Sequence, residues 1–375
     1  MKTPLTERLG IEFPIFAFTH CRDVAAAVSK AGGIGILGAA AHTPEQLDID
    51  LKWMEEQLGD RPYGVDMLIP ARYVRSETGQ QLDPAQLAAM IPSEYRAFLD
   101  DLMDRYEVPA EEGGQDETTL RIGDENIAPL IDVAFAHNPR VFASALGSPP
   151  AWLVERAHAK GMLVGALAGA PRHAIKHKQA GCDFVIAQGW EAGGHTGEIA
   201  SMVLTPQVVD AVAPLPVLAA GGIGTGRQMA AALALGAAGV WCGSVWLTTE
   251  EASELPIVKE KLLHATSLDT TKVRCLTGKP VRQLKSAWTE EWEREDTPEP
   301  LEMPLQSMLI NPYQSRIMHA AAKKNPPQGA AQLVNSPVGQ IVGMMNESKP
   351  AGQVVLDMVE EFIATNERLN VTMNS

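Results

Sequence analysis

Through the first two thirds of this chain, short runs of β-favouring apolar residues alternate with helical patterns. That alternation confines it to folds made of successive βα units around a parallel sheet. The runs fall at residues 13–18, 34–40, 63–69, 140–147, 163–169, 183–189, 217–223 and 239–246. Helix signals stand between them. Thr43-Pro44-Glu45 sets a capping residue before a first-turn proline, Pro149-Pro150 opens another helix, and Gly181 ends the one that begins at Pro171. Eight strands in this order predict an α/β fold of the (β/α)8 type, a TIM barrel. A six- or seven-stranded doubly wound sheet is the competing arrangement.

Two stretches break the rhythm. Residues 71–138, approximately, are too many for one crossover and are rich in acids (Asp100, Asp101, Asp104, Glu107, Glu111, Glu112, Asp116, Glu117). Glu111-Glu112-Gly113-Gly114-Gln115-Asp116 reads as an exposed loop between helical stretches, and the whole as an insertion after the third strand. Beyond Trp246 the pattern turns helical and irregular. Residues 288–304 mix Glu290, Glu291, Glu293, Glu295, Asp296, Glu299 and Glu302 with Pro298, Pro300 and Pro304, which predicts a solvated connection. Helices are expected over 315–324 and 351–369. The organisation expected is a barrel over 1–246 and a smaller helical subdomain over 247–375, packed over the barrel mouth.

The bulk properties narrow the function. A formal charge of −15 argues against nucleic acid and anionic membrane surfaces as partners. The four cysteines (Cys21, Cys182, Cys242, Cys275) are widely spaced with no C-x-x-C pair, so neither a zinc site nor a dithiol motif is indicated, and reduced, buried thiols are expected. The first residues lack an apolar signal region and no uninterrupted apolar run approaches ~18 residues, so the expected location is cytoplasmic.

In a (β/α)8 barrel, chemistry gathers at the C-terminal ends of the strands. Ala219-Ala220-Gly221-Gly222-Ile223-Gly224-Thr225-Gly226 closes the seventh strand and enters a helix. Consecutive glycines allow close backbone approach to an anion, and the helix start is expected to offer free N–H groups. Trp241-Cys242-Gly243-Ser244 at the eighth strand would complete a phosphate cradle. Gln188-Gly189-Trp190-Glu191-Ala192-Gly193-Gly194-His195 follows the sixth strand and presents a histidine between glycines, suited to taking a proton from a carbon acid. Glu191 is read as an orienting group rather than a catalytic one. A more diffuse set, Ala17-Phe18, Asp66 and Ala168-Gly169, leaves room for a flat ring or simply fills the barrel. His173 and His177, four residues apart on one helix, are read as a solvated face in preference to a metal pair.

These motifs resemble the nitronate monooxygenase (2-nitropropane dioxygenase-like) family of FMN barrels. The resemblance rests on the stretch from Gln188 to His195, Ala220-Gly221-Gly222-Ile223, Gly243-Ser244 and Ala31-Gly32-Gly33-Ile34-Gly35. Thr277-Gly278-Lys279-Pro280-Val281-Arg282 and Gly339-Gln340 add to it. It implies a non-covalent FMN, with the phosphate on Gly221, Gly222, Cys242, Gly243 and Ser244 and the ring near Ala17, Phe18, Asp66, Gln188, Gly193 and Gly194. His195 would be the catalytic histidine, deprotonating a nitroalkane or orienting a nitronate. Two departures stand out: Asp66 occupies a position where the family often has asparagine, and Phe16-Ala17-Phe18-Thr19-His20 replaces the family's segment after the first strand, bringing His20 toward the site.

The function expected is oxidation of nitronates or nitroalkanes with O2. The alternative is an NAD(P)H-dependent FMN reductase of an activated C=C bond, such as that of an acyl thioester, on the same barrel. An FMN-binding or effector-sensing barrel without turnover is the non-enzymatic reading. Expected partners are a small-molecule substrate and O2 or NAD(P)H, with a homo-oligomer allowed by the sequence.

Overall fold

The computed structural model describes residues 1–69, 84–110 and 124–374. Eight parallel strands close a barrel in the order β1 (Ile15–Thr19), β2 (Ile34–Gly38), β3 (Tyr63–Leu68), β4 (Val141–Ala145), β5 (Leu163–Ala168), β6 (Phe184–Gln188), β8 (Val217–Ala220) and β9 (Gly239–Cys242). Between β6 and β8 the chain makes a two-residue strand, β7 (Gly194–His195). It lies outside the barrel and pairs antiparallel with β11 (Val281–Leu284), which in turn pairs with β10 (Thr270–Val273).

The strands read as unbroken apolar runs because both of their faces are covered. Inside, Phe16 lies 6.1 Å from Phe184 and 6.3 Å from Trp241, among Ile34, Ile36, Val141 and Leu218. Leu5 and Leu9 of the helix Pro4–Leu9 join this cluster and plug the N-terminal end of the barrel, leaving the C-terminal end as the mouth. Outside, helices pack on the alternate residues. The helix Pro44–Leu58 begins as its sequence predicts, with Thr43 Oγ1 accepting from Gln46 N at 3.1 Å and Gln46 Oε1 accepting from Thr43 N at 3.0 Å.

The last strand is shorter than the apolar run suggests. β9 stops at Cys242 and turns into a short 3₁₀ segment, Ser244–Trp246, where Trp246 Nε1 donates back to the Cys242 carbonyl at 2.7 Å. The described part of the long insertion is divided between two cores. The helix Asp124–Ala136 packs Ile127, Leu130, Ile131 and Phe135 on the barrel layer, while Ser93–Arg105 sends Leu99, Leu102 and Met103 into a separate cluster with residues from the chain beyond Val258. The acidic loop at 111–116 lies outside the described residues.

Residues 288–304 are not simply a solvated connection. The helix Ala287–Glu291 buries Trp288 completely, and Trp292 follows it into the same cluster. Buried Glu291 accepts both arms of the Arg105 guanidinium, each at 2.9 Å, and the Tyr106 hydroxyl at 3.1 Å. Acid density predicts solvent exposure here, but two buried indoles outweigh acids that can point outward. The remaining long helices are Leu305–Ala321 and Ala351–Asn374. The latter runs along the barrel exterior against the helices Gly226–Ala234 and Arg22–Lys30 instead of over the mouth. A side chain at Gly226 would meet the Met358 carbonyl at 2.1 Å, so glycine is required there. Among the described residues, no helix is long and apolar enough to cross a membrane.

Phe184 fills the space left by Gly165, its register partner on the neighbouring strand: a Cβ on Gly165 would stand 2.2 Å from its ring. Phe184→Ala is therefore expected to destabilise the fold by about 3–5 kcal/mol, seen as a lower urea midpoint. A change under about 1 kcal/mol would show that the barrel interior collapses around the gap.

Candidate active site

The barrel order sets the candidate residues on one continuous arc of the rim. Gln188 ends β6, Ala220 pairs with it at the end of β8, Gly243 follows β9, Phe18 lies on β1, Gly38 ends β2 and Asp66 lies on β3. Strand parity then sorts their side chains. Phe18 and Asp66 face inward with Trp241 and Gly38, whereas Ala17 and Cys242, direct register partners, face the helix layer among Val24, Val28 and Val240. Burial pushes the Cys242 thiol up to about 12, so neither as nucleophile nor by side-chain contact does Cys242 reach the mouth. Ala17 and Cys242 offer only backbone. All four cysteines are free and buried.

The glycines of the loop after β6 serve backbone contact. A Cβ on Gly189 would stand 2.1 Å from Ser201 Oγ, and one on Gly193 2.7 Å from Gly339 N. Gly221 and Gly222, at φ +97° and +69°, are pressed against the same loop, where side chains would meet Ala192 and Glu191. Glu191 is an orienting group: its carboxylate accepts from Ser201 N at 3.1–3.2 Å. It thereby caps the helix Ser201–Val212, whose own N-cap, Ala200, has no polar side chain.

Beyond Gly194 (φ +74°) the chain enters β7, where His195 pairs with Val281 and Gly194 with Arg282. His195 is half-buried, and its Nε2 lies 2.7 Å from the hydroxyl of buried Thr277. Desolvation, with the nearby Lys279 ammonium as a smaller cause, pushes its pKa down to about 4. At neutral pH the imidazole is therefore uncharged and able to take a proton. Thr277 and Lys279 belong to the segment whose resemblance was visible in the sequence, but their place near His195, 82 residues before Thr277, follows from the antiparallel pairing of β7 with β11.

The cradle on β8 and β9 differs from the sequence expectation. The N–H groups of Gly224 and Thr225 already donate to Gln228 Oε1, at 2.9 and 3.1 Å, and Arg227 N donates to Glu361 at 3.3 Å. The start of the helix Gly226–Ala234 is thus occupied by the protein itself. No acceptor among the described residues takes the N–H groups of Gly222, Ile223, Gly243 or Ser244. Ser244 Oγ accepts from Gly339 N at 2.8 Å, which leaves its hydroxyl hydrogen free to donate. A side chain at Gly243 would meet only Phe18, at 3.7 Å, so this edge is open. The residues fit a phosphate group through these four N–H groups and one hydroxyl.

Asp66 is 4 % exposed, and its carboxyl makes no hydrogen bond or ion pair with a described residue. Desolvation alone raises its pKa well above the ordinary carboxylate range. His20 lies on the same rim, exposed to solvent at the mouth although protein crowds it on several sides. Its Nδ1 stands 3.1 Å from the Gly38 carbonyl and must carry the hydrogen; its ring stands edge-on to Phe18. Crowding, opposed by that bond and aided by His42, lowers its pKa. His177 lies elsewhere and is not on a solvated face: it is buried, with Nδ1 2.8 Å from Ser148 Oγ and Nε2 2.9 Å from the Leu167 carbonyl. Among the described residues, no group of three potential ligands could hold a metal ion.

The family model for nitronate monooxygenase matches residues 2–361. A Mycobacterium tuberculosis protein, named as a monooxygenase without a substrate, is 57% identical over 368 residues and is covered to 97%, as is this chain. A probable nitronate monooxygenase of Staphylococcus haemolyticus is 31% identical over 324 residues, covering 82% of this chain and 84% of its own. Among solved structures, nitroalkane oxidase from Streptomyces ansochromogenes is similar with a TM-score of 0.78 at 27% identity, over 97% of this chain and 99% of its own. FabK from Thermotoga maritima reaches 0.73 at 27% identity over 99% of both.

The buried acid sets a stability test. Folded Asp66 keeps a proton that the unfolded chain releases near pH ~3.9, so stability is lost as pH rises from there toward the folded pKa. Asp66→Asn removes that loss. In the cofactor-free protein its Tm is expected to exceed the parent's at pH 7–8, the gap closing toward pH ~4. A gap that does not vary with pH would mean that the carboxyl is ionised in the fold.

Proposed function

Because the chain belongs to the nitronate monooxygenase family, we propose that it is an FMN-dependent oxidoreductase that oxidises alkyl nitronates and their parent nitroalkanes with O2. The observation that carries this reading is His195, an uncharged imidazole anchored on Thr277 in a loop that packs on Gly339, the same residue that bonds Ser244 at the edge with free N–H groups. The likeness to a solved nitroalkane oxidase supports it. FMN phosphate would be held by the N–H groups of Gly222, Ile223, Gly243 and Ser244 and by the Ser244 hydroxyl; Phe18, Asp66, Gln188, Gly193 and Gly194 would flank its ring. When bound, the flavin supplies the electron acceptor for the substrate and the electron donor for oxygen.

The protein's own share is placement and proton handling. In the tautomer in which Nε2–H of His195 donates to Thr277, whose own hydroxyl donates to the Lys279 carbonyl at 3.5 Å, Nδ1 is bare and would take the Cα proton of a neutral nitroalkane. Lys279 lies close enough to lower the His195 pKa, so its charge also favours the anion left behind. A preformed nitronate has no such proton to lose and needs His195 only for orientation. A neutral Asp66 would donate a hydrogen bond where an ionised one would repel electron density.

The similarity to FabK favours a second reading, NAD(P)H-dependent reduction of an activated C=C bond. Anaerobic mixing separates them: bleaching of the flavin by the nitronate of 1-nitropropane but not by NADH or NADPH is expected, and the reverse outcome overturns the proposal. In the same protein, His195→Asn is expected to lower kcat/KM for neutral 1-nitropropane by about 10²-fold or more and for its nitronate far less. With His195 deprotonated down to about 4, the acid limb of kcat/KM for the neutral substrate should lie near that pH. A limb at ~6.5 would mean that the base is an ordinary solvated histidine.

A further inference from the structure

Arg282 of β11 is 2 % exposed, yet no carboxylate stands in ion-pairing contact with it among the described residues. Its guanidinium carbon lies 4.1 Å from the centre of the Trp190 ring. Nε donates to the Trp190 carbonyl at 3.2 Å and Nη1 to Thr270 Oγ1 at 3.1 Å, while Nη2 is buried without a partner. Burying a guanidinium with no carboxylate in contact is unfavourable, and the stacking on Trp190 and the more distant Glu191 and Glu198 carboxylates offset only part of the cost.

The backbone of the same residue pairs with Gly194, and the preceding Val281 pairs with His195. Arg282 therefore holds both ends of the turn that delivers the histidine: Trp190 by its side chain, Gly194 by its main chain. Gly194 sits in the left-handed region with nothing within 4 Å of where a side chain would be, so the turn has little packing of its own at that point. We infer that Arg282 is a positioning residue for His195, acting through Trp190 and the β7–β11 pairing. For activity this rests on His195 being the base proposed above.

The test uses the FMN-loaded enzyme with 1-nitropropane and its preformed nitronate. Arg282→Met, which keeps a long apolar side chain but removes the fork, is expected to lower kcat/KM for the nitroalkane by about tenfold or more. For the nitronate, which has no proton to lose, the loss should be less than about threefold. Trp190→Leu, which leaves Arg282 in place, should reproduce the selective loss. Equal losses on both substrates, or no loss, overturn the inference. If His195→Asn leaves nitroalkane turnover unchanged, the assignment of the base fails instead. The positioning role is then read from NMR titration of the His195 ring, which needs no turnover. Arg282→Met should move that titration up from about 4 toward the ordinary histidine value as the turn loosens and the ring hydrates. An unmoved titration overturns the inference whatever the substrate.

Discussion

The contact on which the mouth of this barrel depends is main chain against main chain. Gly193 lies with its main chain on that of Gly339, while Gly221 and Gly222 make room for the side chains of Ala192 and Glu191. Gln340 N donates to the Glu191 carbonyl at 2.9 Å, and Gly339 N to Ser244 Oγ. One short stretch of the tail is thereby wedged between the loop that bears His195 and the edge that bears Ser244. Side chains would hold these three pieces several ångströms apart. Without them, the loop that bears His195 and the edge that bears Ser244 share a common support.

Polar groups around this support are arranged to spare the chemistry. Glu191 spends its charge on the start of the helix Ser201–Val212, and Glu361 and Gln228 occupy the start of Gly226–Ala234. Among the described residues, what is left without a partner is a short run of N–H groups, the hydroxyl hydrogen of Ser244, the second ring nitrogen of His195 and a buried acid. In a protein of net charge −15, Glu191 and Glu361 are thus drawn to helix starts and away from the free N–H groups of the mouth.

The barrel was legible in the sequence because strands covered on both faces leave continuous apolar runs, and the turns between them carry caps such as Thr43 that act within four residues. Local features at strand ends, such as the glycines and His195, were legible for the same reason. What escaped depends on distant partners. The start of the helix Gly226–Ala234 reads as free until Glu361 arrives from 134 residues away. His177 reads as a surface residue until Ser148 and Leu167 are packed over it. Trp288 and Trp292 sit in a run of acids whose composition signals solvent, and only the cluster they enter shows that the indoles decide. Arg282 was visible in a recognisable segment, but its partner Trp190 is 92 residues away.

The second core has a bearing on how the chain comes into being. Leu99, Leu102 and Met103 share their core with a few neighbours such as Ile91 and Val108 and with many residues from Val258 onward, among them Trp288, Leu309 and Leu333. At synthesis rates of about 5–20 residues per second, some tens of seconds pass between the emergence of that apolar stripe and the arrival of its cover. Throughout that interval the barrel strands are being completed beside a sticky, unsheltered helix. A nascent chain of this design is thus exposed to holdase chaperones and to self-association for longer than its tidy barrel would suggest, until the residues from Val258 to Met345 have joined the cluster.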